Sequence, residues 1–309
     1  MSLSVIIPVL ADQRVSRCLE ALVAQCEERD GCEILVVGDG RSDRIRALVA
    51  KYPARYLEQP RSGPYAARNV GIAAATGDIL VFTDADCEPA PNWLAKIRST
   101  FLGDTDVAVG PSCALNRDPV GLLVQSVDDD SWRRLAGEPE VVYCDTRNLA
   151  ARREVCAKVP FDATFRSGGD LEWGIRASRQ GYRIRYAPDM VVGHENVSSI
   201  GDVCRRGIRR GRGLAQIDAK HGREVQISGS RPLELGRVDV KALLRSMARR
   251  RELRPLMSVG LAGMTGVLLV VLALAVKLPR LNGHVRRPFE ILDRASLLLG
   301  FVLGPAGWS

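Results

Sequence analysis

The chain has 309 residues, 46% of them hydrophobic and 26% charged, a balance that supports a full globular core with an appendage and excludes a disordered or collagen-like chain. Its formal charge of +8 is local, because residues 205–254 carry 15 Lys and Arg against 5 Asp and Glu. That basic block has no aromatic residue for base stacking, which argues against a nucleic-acid partner and for an anionic surface or substrate.

The opening MSLSVIIPVL has no basic n-region of a signal peptide and reads directly as a strand, Ser4–Val9. Further strands are predicted at Glu33–Val37, Ala54–Leu57 and Ile79–Thr83, with amphipathic helices Arg14–Glu28, Ser42–Lys51 and Tyr65–Ala75 between them. This alternation predicts an α/β fold with a Rossmann-like, mostly parallel sheet flanked by helices. Ligands bind at the carboxyl ends of such strands, where Asp12, Asp39, Asp84 and Asp86 would share one edge.

Beyond Asp106 the pattern predicts a strand at Val107–Gly110, a loop and helix carrying Asp128 to Asp130, a strand near Val141 and a helix in RNLAARREV. A helix over Asp170–Gln180 and two strands ending at His194 follow. The eight cysteines show neither a C-x-x-C pair nor zinc spacing and are expected to be reduced, mostly buried thiols.

Residues 222–238 read as a linker, and Val240–Arg254 as an interfacial amphipathic helix with Val240, Leu243, Leu244 and Met247 on one face. Met257–Val276 is a run of 20 residues without a charged side chain. At ~1.5 Å per residue such a helix spans the ~30 Å bilayer core, so a transmembrane or deeply inserted helix is predicted. Arg249, Arg250, Arg251 and Arg254 precede it, and the positive-inside rule then places the N-terminal part at the cytoplasmic side of the cell membrane. Ser296–Leu303 is too short to span and is expected to be interfacial or re-entrant. The predicted domains are residues 1–203 (catalytic), 204–254 (basic juxtamembrane and amphipathic) and 255–309 (membrane-associated helices).

The stretch ILVFTDADCEP, residues 79–89, delivers two carboxylates, Asp84 and Asp86, to the end of a buried strand. Such a D-x-D turn suits a hard divalent cation that keeps its other positions for phosphate oxygens and water. The chain has no G-x-G-x-x-G and no G-K-[ST], so a bound nucleotide would need a metal for its diphosphate. Asp39 in VVGDGRSD is either an acceptor for a base N–H or a turn residue. Arg68 and Asn69 precede the D-x-D strand at a spacing that aims them at the same rim, and Asp170 follows Gly-Gly in a flexible, exposed setting suited to a base.

Taken in order, SVIIPVLADQRVSRCLEAL, ILVVGDGRSD, GPYAARNVGIAAATGDILVFTDADCEPAPNWL, RNLAARREV and FRSGGDLEWGIRASRQGYRI resemble the inverting family 2 glycosyltransferases of GT-A fold over residues 2–200. The resemblance implies sugar transfer from a nucleotide diphosphate donor, a UDP-sugar being favoured, with Mn²⁺ or Mg²⁺. On matching positions Pro8 and Asp12 would border the nucleoside, Asp39 would bind the base and Arg68 would lie near the diphosphate. Asp84 would face the ribose or metal, Asp86 would ligate the metal, Asp170 would be the catalytic base and His194 an additional metal ligand. The chain departs from the family in having Gly38-Asp39 for two aspartates and Gly169-Asp170 for Glu-Asp. It also lacks the Q-x-x-R-W of polymer synthases, reading RRGIRRGRG instead, which favours single-sugar transfer.

A nucleotidyltransferase, the first rival, would need a Gly-rich basic first loop that VIIPVLADQR does not supply. An inactive nucleotide-sugar-binding membrane scaffold, the second, is disfavoured by the retained aspartates. The expected acceptor is a lipid-linked or cell-envelope glycan. Arg205, Arg206, Arg209, Arg210 and Arg212 are expected to meet anionic lipid headgroups in preference to an acceptor phosphate.

Overall fold

Alternating β-branched and polar segments build the first half of the chain into strand–helix repeats. A computed structural model describes residues 1–26, 31–138, 140–221, 234–235, 238–239, 289–290, 292–293, 295–297 and 299. The elements run β1 (Leu3–Val9), α1 (Val15–Val23), β2 (Cys32–Asp39), α2 (Asp43–Val49), β3 (Arg55–Gln59), α3 (Pro64–Ala74) and β4 (Ile79–Phe82). They continue with β5 (Cys87–Pro89), α4 (Trp93–Thr100), β6 (Val107–Val109), β7 (Ser112–Ala114), α5 (Pro119–Leu135), β8 (Leu149–Arg152) and α6 (Arg153–Lys158). Last come α7 (Gly169–Arg179), β9 (Ile184–Tyr186), β10 (Val192–His194), α8 (Ile200–His221), β11 (Glu234–Leu235) and β12 (Val238–Asp239).

The main sheet has the order β3-β2-β1-β4-β8-β6-β9. Its strands are parallel except β8, which runs antiparallel to both β4 and β6. Strand order reverses at β1, which pairs with β2 on one side and β4 on the other. The carboxyl ends of β1 and β4 therefore flank a topological switch point, the usual ligand position in such sheets. A smaller sheet, β5-β10-β7, lies beyond the end of β4 and carries His194.

Every residue of β1 is buried, and the pleat sends its side chains to two cores. Leu3, Val5, Ile7 and Val9 join Leu19 and Leu22 of α1, Ile34 and Val36 of β2 and Trp93 of α4 on one face. Ile6 faces α3, where Gly71 leaves no room for a side chain, since an added Cβ would collide with Ile6 Cγ2. Each such aliphatic contributes about 1.5–3 kcal/mol on burial.

Two predicted elements differ from the structure. Within RNLAARREV, residues Leu149–Arg152 form β8, and the helix begins only at Arg153. Ala150 and Ala151 favour helices in isolation, but both are fully buried and paired with β4 on one side and β6 on the other, so the tertiary slot overrides propensity. No strand forms at Val141; its N–H alone reaches Ile184 O at 2.8 Å. Cys26 and Cys32 form a disulfide rather than two thiols, while the other six cysteines are free as expected.

The chain divides into two compact units, residues 1–115 with 132–195, and residues 116–131 with 196–309. In the second, Val120, Val124, Ile200, Val203, Cys204, Phe289 and Leu292 form a separate core. The arginines following the first unit lie on α8, with Arg205 exposed and Arg206 turned inward, 3.8 Å from Asp293. The described residues of 289–299 are helical, and Ala295, Ser296 and Leu299 among them are buried. Val240–Arg254 and the apolar run Met257–Val276 lie outside the described residues, as does the linker apart from β11 and β12. Among the described residues no helix is long and apolar enough to cross a membrane.

Candidate functional site

The rim at the ends of β1, β2 and β4 gathers the predicted aspartates, Asp39 as the last residue of its strand and the others just beyond theirs. Asp39, the last residue of β2, is buried and heavily engaged. Its Oδ1 accepts from Gln59 Nε2 at 2.9 Å, Ser62 N at 2.7 Å and Gly63 N at 3.0 Å, and Oδ2 accepts from Gly63 N at 3.0 Å. Gly63 sits at φ +97°, a conformation that favours glycine, so Asp39 and Gly63 together fix the loop entering α3. The structure thus shows the turn role of Asp39, with Oδ2 the less occupied oxygen. Pro8 is buried as the penultimate residue of β1, paired with Val37.

Helix α3 presents Tyr65 and Arg68, one turn apart, to Asp170 and Asp84. Arg68 is only 4% exposed and donates from Nη2 to Asp84 Oδ1 at 2.5 Å, with its guanidinium 5.4 Å from the Tyr65 ring centroid. Asn69 does not point at the rim. Its amide accepts from Phe161 N at 2.9 Å and donates to Phe161 O at 2.8 Å, bracing the chain behind the site. Asn69→Ala leaves both backbone groups without these partners and is expected to cost about 2 kcal/mol. The check is a fall in the urea midpoint at unchanged m-value.

Asp86 is 25% exposed in its side chain, with Oδ2 3.7 Å from His194 Nε2 and 3.6 Å from Arg14 Nη2. Burial pushes its carboxyl above the ordinary range, His194 pulls it back and Asp84 pushes it further up. Asp12 is held at 2.6 Å by Arg14 Nη2, and the Arg14 hydrogen bond keeps its carboxyl below the ordinary range.

Asp170 lies at the start of α7 after Gly168, whose φ of +76° makes the turn. It is half-buried rather than exposed. Tyr65 Oη donates to its Oδ1 at 3.3 Å, and Thr146 N donates to its Oδ2 at 3.4 Å. Burial, and then the charge of Asp145, raise its carboxyl, while Arg68 and the N–H groups of Leu171 and Thr146 oppose that rise.

Sequence reasoning missed the turn Asp145-Thr146-Arg147. Arg147 grips Asp145 through Nη2 at 2.6 Å and Nε at 3.0 and 3.1 Å, and its Nη1 stands 3.5 Å from His194 Nδ1. Burial works against ionised Asp145, but the Arg147 charge and hydrogen bonds hold its carboxyl well below the ordinary range. One turn therefore touches both His194 and Asp170. Its local mark in the sequence is an Asp two residues before an Arg, a spacing too common to single out.

Among the described residues no three His, Cys, Asp or Glu side chains form a ready-made cluster for a metal. Asp86 and His194 nevertheless supply one oxygen and one nitrogen donor side by side, a set that suits Mn²⁺ and leaves most coordination positions for diphosphate and water. The residues fit a divalent ion.

The profile of the family described as Glycosyl transferase family 2 matches residues 4–158. The glycosyltransferase AglE of Haloferax volcanii is 31% identical over 225 residues, covering 69% of this chain and 73% of the relative. A pre-mycofactocin glycosyltransferase of Mycobacterium tuberculosis is 30% identical over 203 residues, 62% of this chain but 43% of the relative's length. Among solved structures, a mannosyltransferase of Pyrobaculum calidifontis in complex with GDP-Man and Mn²⁺ superposes with a TM-score of 0.60 at 20% identity, over 94% of this chain and 85% of the other. Glucosyl-3-phosphoglycerate synthase of Mycobacterium tuberculosis, solved with Mn²⁺ and UDP, gives 0.50 at 18% identity over 73% and 81%.

Proposed function

Because the chain belongs to glycosyl transferase family 2 and is a glycosyltransferase of GT-A fold, we propose that it is a metal-dependent inverting enzyme moving a single sugar from a nucleotide diphosphate donor, a UDP-sugar foremost, to a membrane or cell-envelope acceptor. The observation that carries the reading is the convergence on one set of strand ends of Asp86 with His194, Arg68 with Asp84, and a half-buried Asp170 whose carboxyl is raised. Mn²⁺ or Mg²⁺ on Asp86 and His194 would neutralise the charge that develops on the departing diphosphate. Its use is favoured by the D-x-D turn and by the Mn²⁺ in the two solved relatives.

Asp170 then takes the proton of the acceptor hydroxyl as that oxygen attacks the anomeric carbon. The bond from that carbon to the diphosphate oxygen breaks, and its electron pair leaves with the diphosphate. Asp170 takes no part in a covalent intermediate, and the configuration inverts. Arg68 would meet the diphosphate once Asp84 shares its guanidinium. Asp39 would bind the base, and Asp12 and Pro8 would border the nucleoside. Single transfer is supported by RRGIRRGRG in place of the polymerase signature. Placement at the cytoplasmic face of the cell membrane rests on the apolar run Met257–Val276 and the arginines before it, with the domains as residues 1–203, 204–254 and 255–309. The exposed arginines of α8 would meet anionic headgroups.

Calorimetric titration of UDP and GDP into the full chain, with and without Mn²⁺, tests the donor class. The expected result is metal-dependent binding of UDP. Binding of GDP alone would move the donor to a GDP-sugar, and binding of neither with Mn²⁺ present would sink the nucleotide reading.

A further inference from the structure

Asp12, Asp84, Asp86 and Glu195 repel unless cations sit among them, and three arginines divide them, Arg17 taking Glu195 with Nη2 at 2.5 Å. Arg68 takes Asp84. Arg14, at the N-cap of α1 and 38% exposed, reaches carboxylates from three separate segments. It binds Asp12 with Nη2 at 2.6 Å and Nε at 2.9 and 3.1 Å. Its Nη2 also lies 3.6 Å from Asp86 Oδ2, and its Nη1 3.5 Å from Glu195 Oε1. Glu195 directly follows His194, so the same guanidinium flanks both donors proposed for the metal. The 3.6 Å approach is an ion pair without a hydrogen bond, close enough to oppose a second cation on the same oxygen.

We propose that Arg14 is the resident counter-cation of the metal position, neutralising Asp12 and Asp86, sharing Glu195 with Arg17, and competing with the divalent ion for Asp86. The inference rests on Asp86 being a metal ligand. An arginine cannot shed its charge at working pH, so its opposition to the ion is permanent. Its firmer grip on Asp12 lets it give up the looser contact with Asp86 and remain on the rim. The consequence is that metal alone binds weakly, and that tight loading needs the negative charge of a nucleotide diphosphate. The arginine thereby ties metal occupancy to the presence of donor.

The test uses Mn²⁺ alone, without nucleotide, on the folded full chain, reading free Mn²⁺ by electron paramagnetic resonance. Arg14→Gln is expected to bind Mn²⁺ about tenfold more tightly, since a unit positive charge a few ångströms from the ion is removed at a partly solvated rim. Arg14→Lys, which keeps the charge, is expected to stay within about twofold of wild type, whereas a purely steric role would make it resemble Arg14→Gln. Arg14→Ala repeats the measurement should the glutamine not fold. Asp86→Asn should abolish binding. Equal or weaker affinity in Arg14→Gln, with Asp86→Asn still negative, overturns the role of Arg14 alone. Wild-type affinity in Asp86→Asn overturns the metal assignment and this inference with it.

Discussion

Asp170→Asn is expected to lower the transfer rate by about 10²–10⁴-fold, the usual share of a general base, while UDP or GDP affinity stays near wild type. Asparagine keeps the volume and one acceptor for Tyr65 Oη or Thr146 N, so the start of α7 should hold its shape. What is lost is only the capacity to take a proton. Because burial, and next the charge of Asp145, raise the Asp170 carboxyl, the acid limb of the wild-type rate should fall above the ordinary carboxylate range. The same shift has a stability consequence of definite sign. A carboxyl raised in the folded state holds its proton there more firmly than in the unfolded chain, so its contribution is favourable at low pH and lost as pH rises through the folded value. The amide of Asp170→Asn does not ionise, and this variant should gain stability relative to wild type between acid and neutral pH. Urea unfolding across that range reads the gain, and single-turnover transfer reads the loss. An unchanged transfer rate would remove Asp170 from the role of base.

The parts legible in the sequence share a physical origin: they repeat, or they sit at strand ends. The strand–helix alternation from Ser4 to Thr83 locates β1 to β4 and α1 to α3 within a few residues, because period-2 and period-3.6 burial is written locally. It also puts Asp12, Asp39, Asp84 and Asp86 on one rim, since parallel strands bring their carboxyl ends together. The segment Leu149–Arg152 reads as a helix in sequence because the reason for its being a strand lies in β4 and β6, distant along the chain. Asn69 misleads for a similar reason, as Phe161 claims both ends of its amide from 92 residues away. The counter-charges are invisible too. That Arg68 serves Asp84, Arg14 serves Asp12 and Arg147 serves Asp145 depends on rotamers chosen by packing, whereas the sequence shows only that arginines are near. A sequence exposes where charge must accumulate more readily than how it is neutralised.

Asp86→Ala is expected to abolish Mn²⁺-dependent nucleotide binding and to cut transfer by about 10²–10³-fold, as several kcal/mol of transition-state charge stabilisation are lost at about 1.36 kcal/mol per decade. The two aspartates of the D-x-D turn should not behave alike. Asp84 is committed to Arg68 at 2.5 Å, so its replacement frees a buried guanidinium and disturbs α3 as well as the donor pocket. Asp86 makes looser contacts, 3.6 Å to Arg14 and 3.7 Å to His194, so it can rearrange around an ion at little structural cost. Asp86→Ala should therefore fold with a thermal midpoint close to wild type when no ligand is present. The distinguishing readout is the rise in midpoint when Mn²⁺ and nucleotide are added together, which reports binding to the native state alone. Wild type should show that rise and Asp86→Ala should not. If Asp86→Ala kept the rise and Asp84→Asn lost it, the metal would belong to Asp84, and Arg68 rather than Arg14 would be the cation that gives way.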